Sequence, residues 1–122
     1  MQRFTDLAVW QRGHALALTV YGATRVFPRE ELFGLTSQLR RAAVSVPSNI
    51  AEGSKRLHRP DYARFLNLAE GSLAEVESLV IFARDLAYLD RSQASGLVTE
   101  CQALARMVYS LRRRVELAIV ER

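Results

Sequence analysis

The chain has 122 residues, 49% hydrophobic and 25% charged, with 6 glycines, 3 prolines and a single cysteine. That length predicts one domain with a core of its own, and that composition excludes a disordered tail, a collagen-like chain and a disulfide-stapled fold. The net charge is +4, all of it from the first half: residues 1–60 carry a net +5 and residues 61–122 a net −1.

Every basic residue but Lys55 is arginine, whose planar fork matches phosphate oxygens two at a time, so the charge allows an anionic partner. A solvated arginine-rich surface would give the same composition. Asp6 and Arg12 interrupt the apolar residues of the N-terminal stretch, leaving no signal-peptide core. No run approaches the ~18 apolar residues of a membrane span. The expectation is a cytoplasmic protein with no membrane partner, in which Cys101 stays a thiol.

Strand signals are weak, and four helical patterns follow in order. The first runs from Asp6, a plausible N-cap, to Phe27, where Pro28 stops it. Leu7, Trp10, Ala17 and Tyr21 form one apolar row; Val9, Leu16, Val20 and Phe27 form another. Their combined width exceeds what one neighbouring helix covers. The second pattern opens at Thr36 as N-cap. Leu35, Leu39, Ala42, Val46, Ile50 and Gly53 make an inward stripe, and Arg41, Ser45, Ser48, Glu52 and Lys55 a polar one. Pro47 falls inside it, removing a donor and crowding the carbonyl of Ala43, at ~3 kcal/mol in a plain helix. The segment is therefore one kinked helix or two helices; the apolar period continuing to Ile50 favours one.

The third pattern begins near Pro60, a good first helical residue, and runs to about Leu89. One row holds Tyr62, Leu66, Ala69, Leu73, Val76, Val80, Ala83 and Ala87; a second runs from Phe65 to Leu89, interrupted by Ser72 and Glu75. A carboxylate on an apolar face needs a partner or an opening, and Arg40 or Arg41 is a candidate partner. The fourth pattern runs from about Ser92 nearly to Arg122. Leu97, Cys101, Leu104, Val108, Leu111, Val115 and Ala118 keep heptad-like spacing, with Cys101 as a small core residue. The two or three residues between the last two helices force an antiparallel hairpin. The fold expected is an all-α, antiparallel, up-down-up-down four-helix bundle with a Pro-kinked second helix, a single domain over residues 1–122.

Chemistry-bearing constellations are scarce. Two histidines and one cysteine do not make a usual zinc site, and the glycines are not spaced as a phosphate loop. Glu30/Glu31 and Glu75/Glu77 are not arranged as a paired-carboxylate site, and the Glu-x-x-His motifs of di-iron bundles are missing. No catalytic residue, metal ligand or cofactor is predicted, and the chain is not expected to be an enzyme.

The most particular stretch is FGLTSQLRRAAVSVPSNIAEGSKR, residues 33–56, followed by FLNLAEGSLAEVESL from Phe65 and preceded by FTDLAVWQRGHAL and TRVFPREE. Over about residues 4–90 this resembles the four-helix-bundle proteins encoded within intervening sequences of bacterial 23S rRNA genes. That family is similar to the accessory variability determinant of diversity-generating retroelements. The resemblance implies a homopentameric, barrel-like assembly with a basic surface, structured RNA or DNA as partner and, for a retroelement-linked member, a reverse transcriptase. Within the motif, Pro47 and Gly53 read as structural: Gly53 allows a close helix approach, and Ser48 and Asn49 suit backbone groups freed at the proline. Arg40, Arg41, Lys55 and Arg56, with Arg59 just beyond, suit phosphate and are expected to form one basic nucleic-acid-binding surface. Arg112, Arg113 and Arg114 point around their helix and read as solvated surface. The alternative is a homo-oligomeric protein-interaction scaffold whose arginines form salt bridges between subunits.

Overall fold

The computed structural model describes residues 3–120. It is a bundle of four helices: α1 (Ala8–Thr24), α2 (Leu35–Ser54), α3 (Arg59–Asp85) and α4 (Arg91–Val120). Two short 3-10 turns precede α1 and α2, and there is no strand among the described residues. The helices neighbour one another in ring order, with α4 returning to α1.

Cross-helix pairs run in opposite senses along the α1–α2, α2–α3 and α3–α4 seams. Gly13 lies against Val46 and Thr24 meets Arg40; Ser45 meets Ser72 and Gly53 meets Tyr62; Glu70 meets Arg112 and Glu77 meets Gln102. The start of α1 and the start of α3 therefore share the end of the molecule where α2 finishes.

Helix ends depart from the sequence expectations, each for a local reason. Asp6 does not cap α1; it closes a 3-10 turn, its amide donating to the Arg3 carbonyl at 3.0 Å. α1 stops at Thr24 instead of Phe27, because the residue before Pro28 avoids the helical region, and the Phe27 amide turns back to the Thr24 carbonyl at 3.1 Å. Phe27 is buried all the same. Thr36 is not the cap of α2 either: the helix opens at Leu35, and Thr36 is buried. Its first turn is served by the Glu31 carboxylate, which accepts from the Leu35 amide at 3.2 Å and from the Tyr88 hydroxyl at 3.0 Å. An anion at a helix N-terminus is favoured by the dipole, and the Tyr88 hydroxyl, donating to Glu31, is held above its usual pKa.

α2 is one uninterrupted helix with Pro47 buried inside it. Asn49 donates its side-chain amide to the Ser45 carbonyl at 2.8 Å. The second side-chain bond of this stretch comes from Ser45 instead of Ser48: its hydroxyl reaches the Ala42 carbonyl at 2.8 Å and Ser72 at 2.6 Å. The Ser72 interruption of the third apolar pattern is thus a polar stitch across the α2–α3 seam.

α3 ends earlier than expected. The Ala87 amide donates to Arg84 and the Tyr88 amide to Ala83, both at 2.9 Å, with Ala87 at φ 65°. This is a Schellman turn with alanine in the left-handed position that glycine usually fills. Ala87 is therefore exposed, not core, while Leu89 beyond the turn is buried. α4 opens on a capping box: Asp90 accepts from the Gln93 amide at 2.7 Å, and the Gln93 side chain accepts from the Asp90 amide at 3.4 Å.

The core is aliphatic, and its largest fully buried members come from all four helices: Leu16, Leu39, Ile50, Leu66, Leu73 and Leu104. Cys101 lies among them, and burial, with Glu77 and Glu100 nearby, pushes its thiol up to about 12. The second α3 row is only partly covered, with Leu68, Phe82 and Leu86 exposed. The α1–α4 seam is the loosest. It is clasped by Arg12, which donates to both Glu100 oxygens at 2.5 and 3.1 Å, beside a groove lined by Ala15, Thr19, Gly22 and Gly96.

Candidate nucleic-acid interface

The five arginine and lysine residues expected on one surface fall into two groups. Arg40 and Arg41 lie near the start of α2 and Lys55, Arg56 and Arg59 at or past its end. The run from Arg41 to Lys55 spans roughly 20 Å of helix axis, too far for one phosphate-binding spot.

Arg40 is engaged internally. Its Nε donates to the Thr24 hydroxyl at 2.8 Å and its Nη2 to the Tyr21 carbonyl at 3.4 Å, and its guanidinium lies 4.6 Å from the centre of the Tyr21 ring. A cation at the last turn of α1 complements that helix's dipole, so Arg40 fastens α1 to α2. Arg41 is exposed on the rim of a depression that it shares with Glu75, Gln38 and Phe33. Glu75 is itself exposed, so its carboxylate has water and needs no partner. Among the described residues it forms no ion pair with Arg40 or Arg41, contrary to the pairing expected.

Lys55, Arg56 and Arg59 do come together, at the turn joining α2 to α3, where residues 55–60 are all exposed. The turn is tight because Gly53 is buried against α3. A β-carbon there would lie 2.7 Å from Phe65 Cβ and 3.0 Å from Tyr62 Cδ1. This is the close approach anticipated for Gly53, and it draws the last turn of α2 onto the first turns of α3. Leu57, 95% exposed, stands at the tip of the turn between the cations. Arg56 makes only a long contact with Glu52, 3.8 Å, beyond hydrogen-bonding reach. An exposed pair of this kind contributes little.

Arg64 belongs to this corner although the sequence reading passed over it. Its guanidinium lies 4.7 Å from the centre of the Phe65 ring, and that of Arg56 lies 4.6 Å from the same centre. The available signal was the Arg64–Phe65 pair one turn into the third helix, meaningful only once Gly53 folds Arg56 back over it.

The three consecutive arginines of α4 are not uniformly solvated. Arg112 is mostly covered and bonds both oxygens of Glu70 and one of Glu116, the latter at 2.9 Å. The Glu70 hydrogen bond dominates in raising its pKa above an already high value. Arg113 donates to Glu116 at 2.8 Å, and the two guanidiniums hold that carboxyl below its usual range. Arg114 is exposed and lies near enough to Tyr62 to oppose the upward push that burial gives that phenol.

Among the described residues no three His, Cys, Asp or Glu side chains gather as a metal site, and no helix is long and apolar enough to cross a membrane. Fold and surface together define a helical-bundle protein whose most concentrated cationic feature is an exposed interhelical turn. The chain belongs to the 23S rRNA-intervening sequence protein family, whose model matches residues 5–110. That match extends past the motif-bearing residues 4–90 into much of α4. The chain is also similar to a protein of unknown function from the S23 ribosomal protein family of Bacteroides thetaiotaomicron. The TM-score is 0.78 at 21% identity, covering 86% of this chain and 98% of that one, a likeness of fold. None of the curated proteins compared with the chain matches it.

Proposed function

We propose that the protein is a non-enzymatic, homo-oligomeric accessory protein of the cytoplasm that binds structured RNA or DNA through the α2–α3 corner. The observation that carries this reading is the gathering of Lys55, Arg56 and Arg59 on one exposed turn whose nearest recorded carboxylate contact is the long one to Glu52. Their family's link to an rRNA gene favours RNA as the polymer. Phosphate contacts would dominate, so affinity falls steeply with salt. Arg40 is excluded from the surface by its bonds to α1, and Arg41 lies at the other end of α2.

Assembly is the second part of the proposal. Leu18 is 62% exposed on α1, with Tyr21 beside it and Val44 across the seam on α2. Together with Trp10 and Pro47 they line one apolar groove, the kind of patch that marks an interface. A closed ring, with five copies as the family resemblance has it, would repeat the basic corner and gain affinity by multivalency. The same groove favours the competing reading, a protein-interaction scaffold with no nucleic-acid role, whose partner in a retroelement setting would be a reverse transcriptase.

The deciding experiment is a fluorescence-anisotropy titration with a structured RNA and a DNA duplex at two salt concentrations. Salt-sensitive binding is expected. Changing Lys55, Arg56 and Arg59 together to Ser should weaken it and flatten the salt slope by up to ~0.9 per lost duplex phosphate contact. No binding of either polymer at low salt would leave the scaffold reading in place.

A further inference from the structure

Arginines in this bundle fall into distinct kinds. Arg12, Arg40, Arg84, Arg112 and Arg113 donate hydrogen bonds to protein acceptors. Others, such as Arg29, Arg59 and Arg91, are exposed and have no aromatic neighbour recorded. Arg56 and Arg64 belong to neither kind. Each lies against an aromatic ring, yet among the described residues neither donates a hydrogen bond. Both use the same ring, Phe65, which is itself buried and pressed against Gly53. The two guanidinium carbons therefore lie within about 9 Å of each other.

The ring neutralises neither charge, so both contribute to one positive field at this corner. Their N–H donors (five on each guanidinium) face solvent and are not taken up by protein hydrogen bonds among the described residues. The acids on this corner are Glu52, reaching only Arg56 at 3.8 Å, and Asp61 in the first turn of α3, with no ion pair recorded to either arginine. α3 begins here without a side-chain cap, so the positive end of its dipole adds to the same field. A tetrahedral oxyanion within reach of both guanidiniums could accept from both forks at once.

We infer that Arg56 and Arg64, gathered on the shared ring of Phe65, form a clamp for one phosphate group, in the nucleic-acid setting a single backbone phosphodiester. This inference rests on the nucleic-acid reading for its biological ligand but not for its anion chemistry. It adds Arg64 to the contact surface and gives Phe65 a positioning role. Lys55 and Arg59 then serve neighbouring phosphates as mobile point charges.

The test uses calorimetric titration of the whole protein with inorganic pyrophosphate, and anisotropy titration with a 20-base-pair duplex and a structured RNA at two salt concentrations. The variants are Arg56→Gln, Arg64→Gln, the double variant, and Arg29→Gln as a control at the opposite end. For the clamp, Arg56→Gln and Arg64→Gln each weaken pyrophosphate binding about tenfold, and the double variant loses little more, because one ligand is shared. The duplex salt slope of the double variant falls by about 0.9, one phosphate, and not by about twice that. Arg29→Gln changes neither. Pyrophosphate binding with this pattern but no binding of the duplex or of a structured RNA would overturn the nucleic-acid reading and leave the clamp standing. Duplex binding that is unchanged in both single variants, or a slope loss worth two phosphates, overturns the clamp and leaves the reading. No binding of pyrophosphate overturns the clamp, and no binding of pyrophosphate, duplex or structured RNA overturns both.

Discussion

At Gly53 a hydrogen is the largest substituent that fits. A methyl group there would meet Phe65 Cβ at 2.7 Å, and that atom is fixed to the α3 backbone, so helix α3 itself must move. Gly53→Ala should destabilise the fold by about 1–3 kcal/mol despite alanine's better helix propensity, read as a lower urea midpoint. At Gly13 the tightest contact would be Val46 Cγ1 at 3.2 Å, a milder approach than the one at Gly53, so Gly13→Ala should cost less. Cys101 gives a pH test. Its folded thiol is raised to about 12 from an ordinary value near 9. Below pH 9 both states hold the proton and stability is unaffected. Between 9 and 12 the unfolded chain loses it first, so stability falls with pH by up to about 1.4 kcal/mol per unit. Urea titrations at pH 7 and pH 10 should show that fall, and Cys101→Ala should shrink it. The roles of Gly53 and Cys101 were legible in the sequence because each sits on the inward row of its helix. Arg40 was not: nothing in the letters says that an arginine beside a second arginine turns back onto the end of the previous helix.

The helices themselves were legible because their apolar residues keep a strict period: the inward stripe Leu35–Leu39–Ala42–Val46–Ile50 is buried throughout. Their ends were less so. The expected start of α4 at about Ser92 lies one residue from the observed Arg91, and the Asp90–Gln93 capping box that fixes it came to light only in the structure. The end of α3 lacks the glycine that would have announced its Schellman turn, so the period of apolar residues ran on through Ala87 to Leu89. Ala87→Gly should therefore stabilise by roughly 1 kcal/mol, since alanine at φ 65° carries a steric cost that glycine does not. Gly71 is the converse: it sits in α3 with nothing near its missing β-carbon. Gly71→Ala should raise the melting temperature, by about 0.5–1 kcal/mol of stability. Pro47→Ala restores a backbone donor worth ~3 kcal/mol in an isolated helix, but it also strips ring carbons from a residue that lines the apolar groove of α1 and α2. The expectation is no gain in melting temperature together with a change in assembly; a hotter-melting variant of unchanged oligomeric mass would contradict it.

Whether one copy is the working unit is settled by mass. Light scattering at tens of micromolar should report a multiple of the 13.8 kDa chain, and Leu18→Glu with Val44→Glu should return it to a single copy without loss of helical circular dichroism. The apolar width of α1 was visible in the sequence as two rows too broad for one neighbour, whereas which row stays open depends on how the other three helices close. The open seam between α1 and α4 bears on how the molecule breathes. A groove of small side chains and one half-exposed arginine–glutamate clasp resist separation far less than the leucine and valine rows that join α3 to α4. Amide hydrogens of α1 should then exchange with deuterium before those of α3. A first helix that lifts as a unit can also re-dock on another copy's α2, so helix exchange between subunits should set the pace at which mixed oligomers form from separately labelled ones.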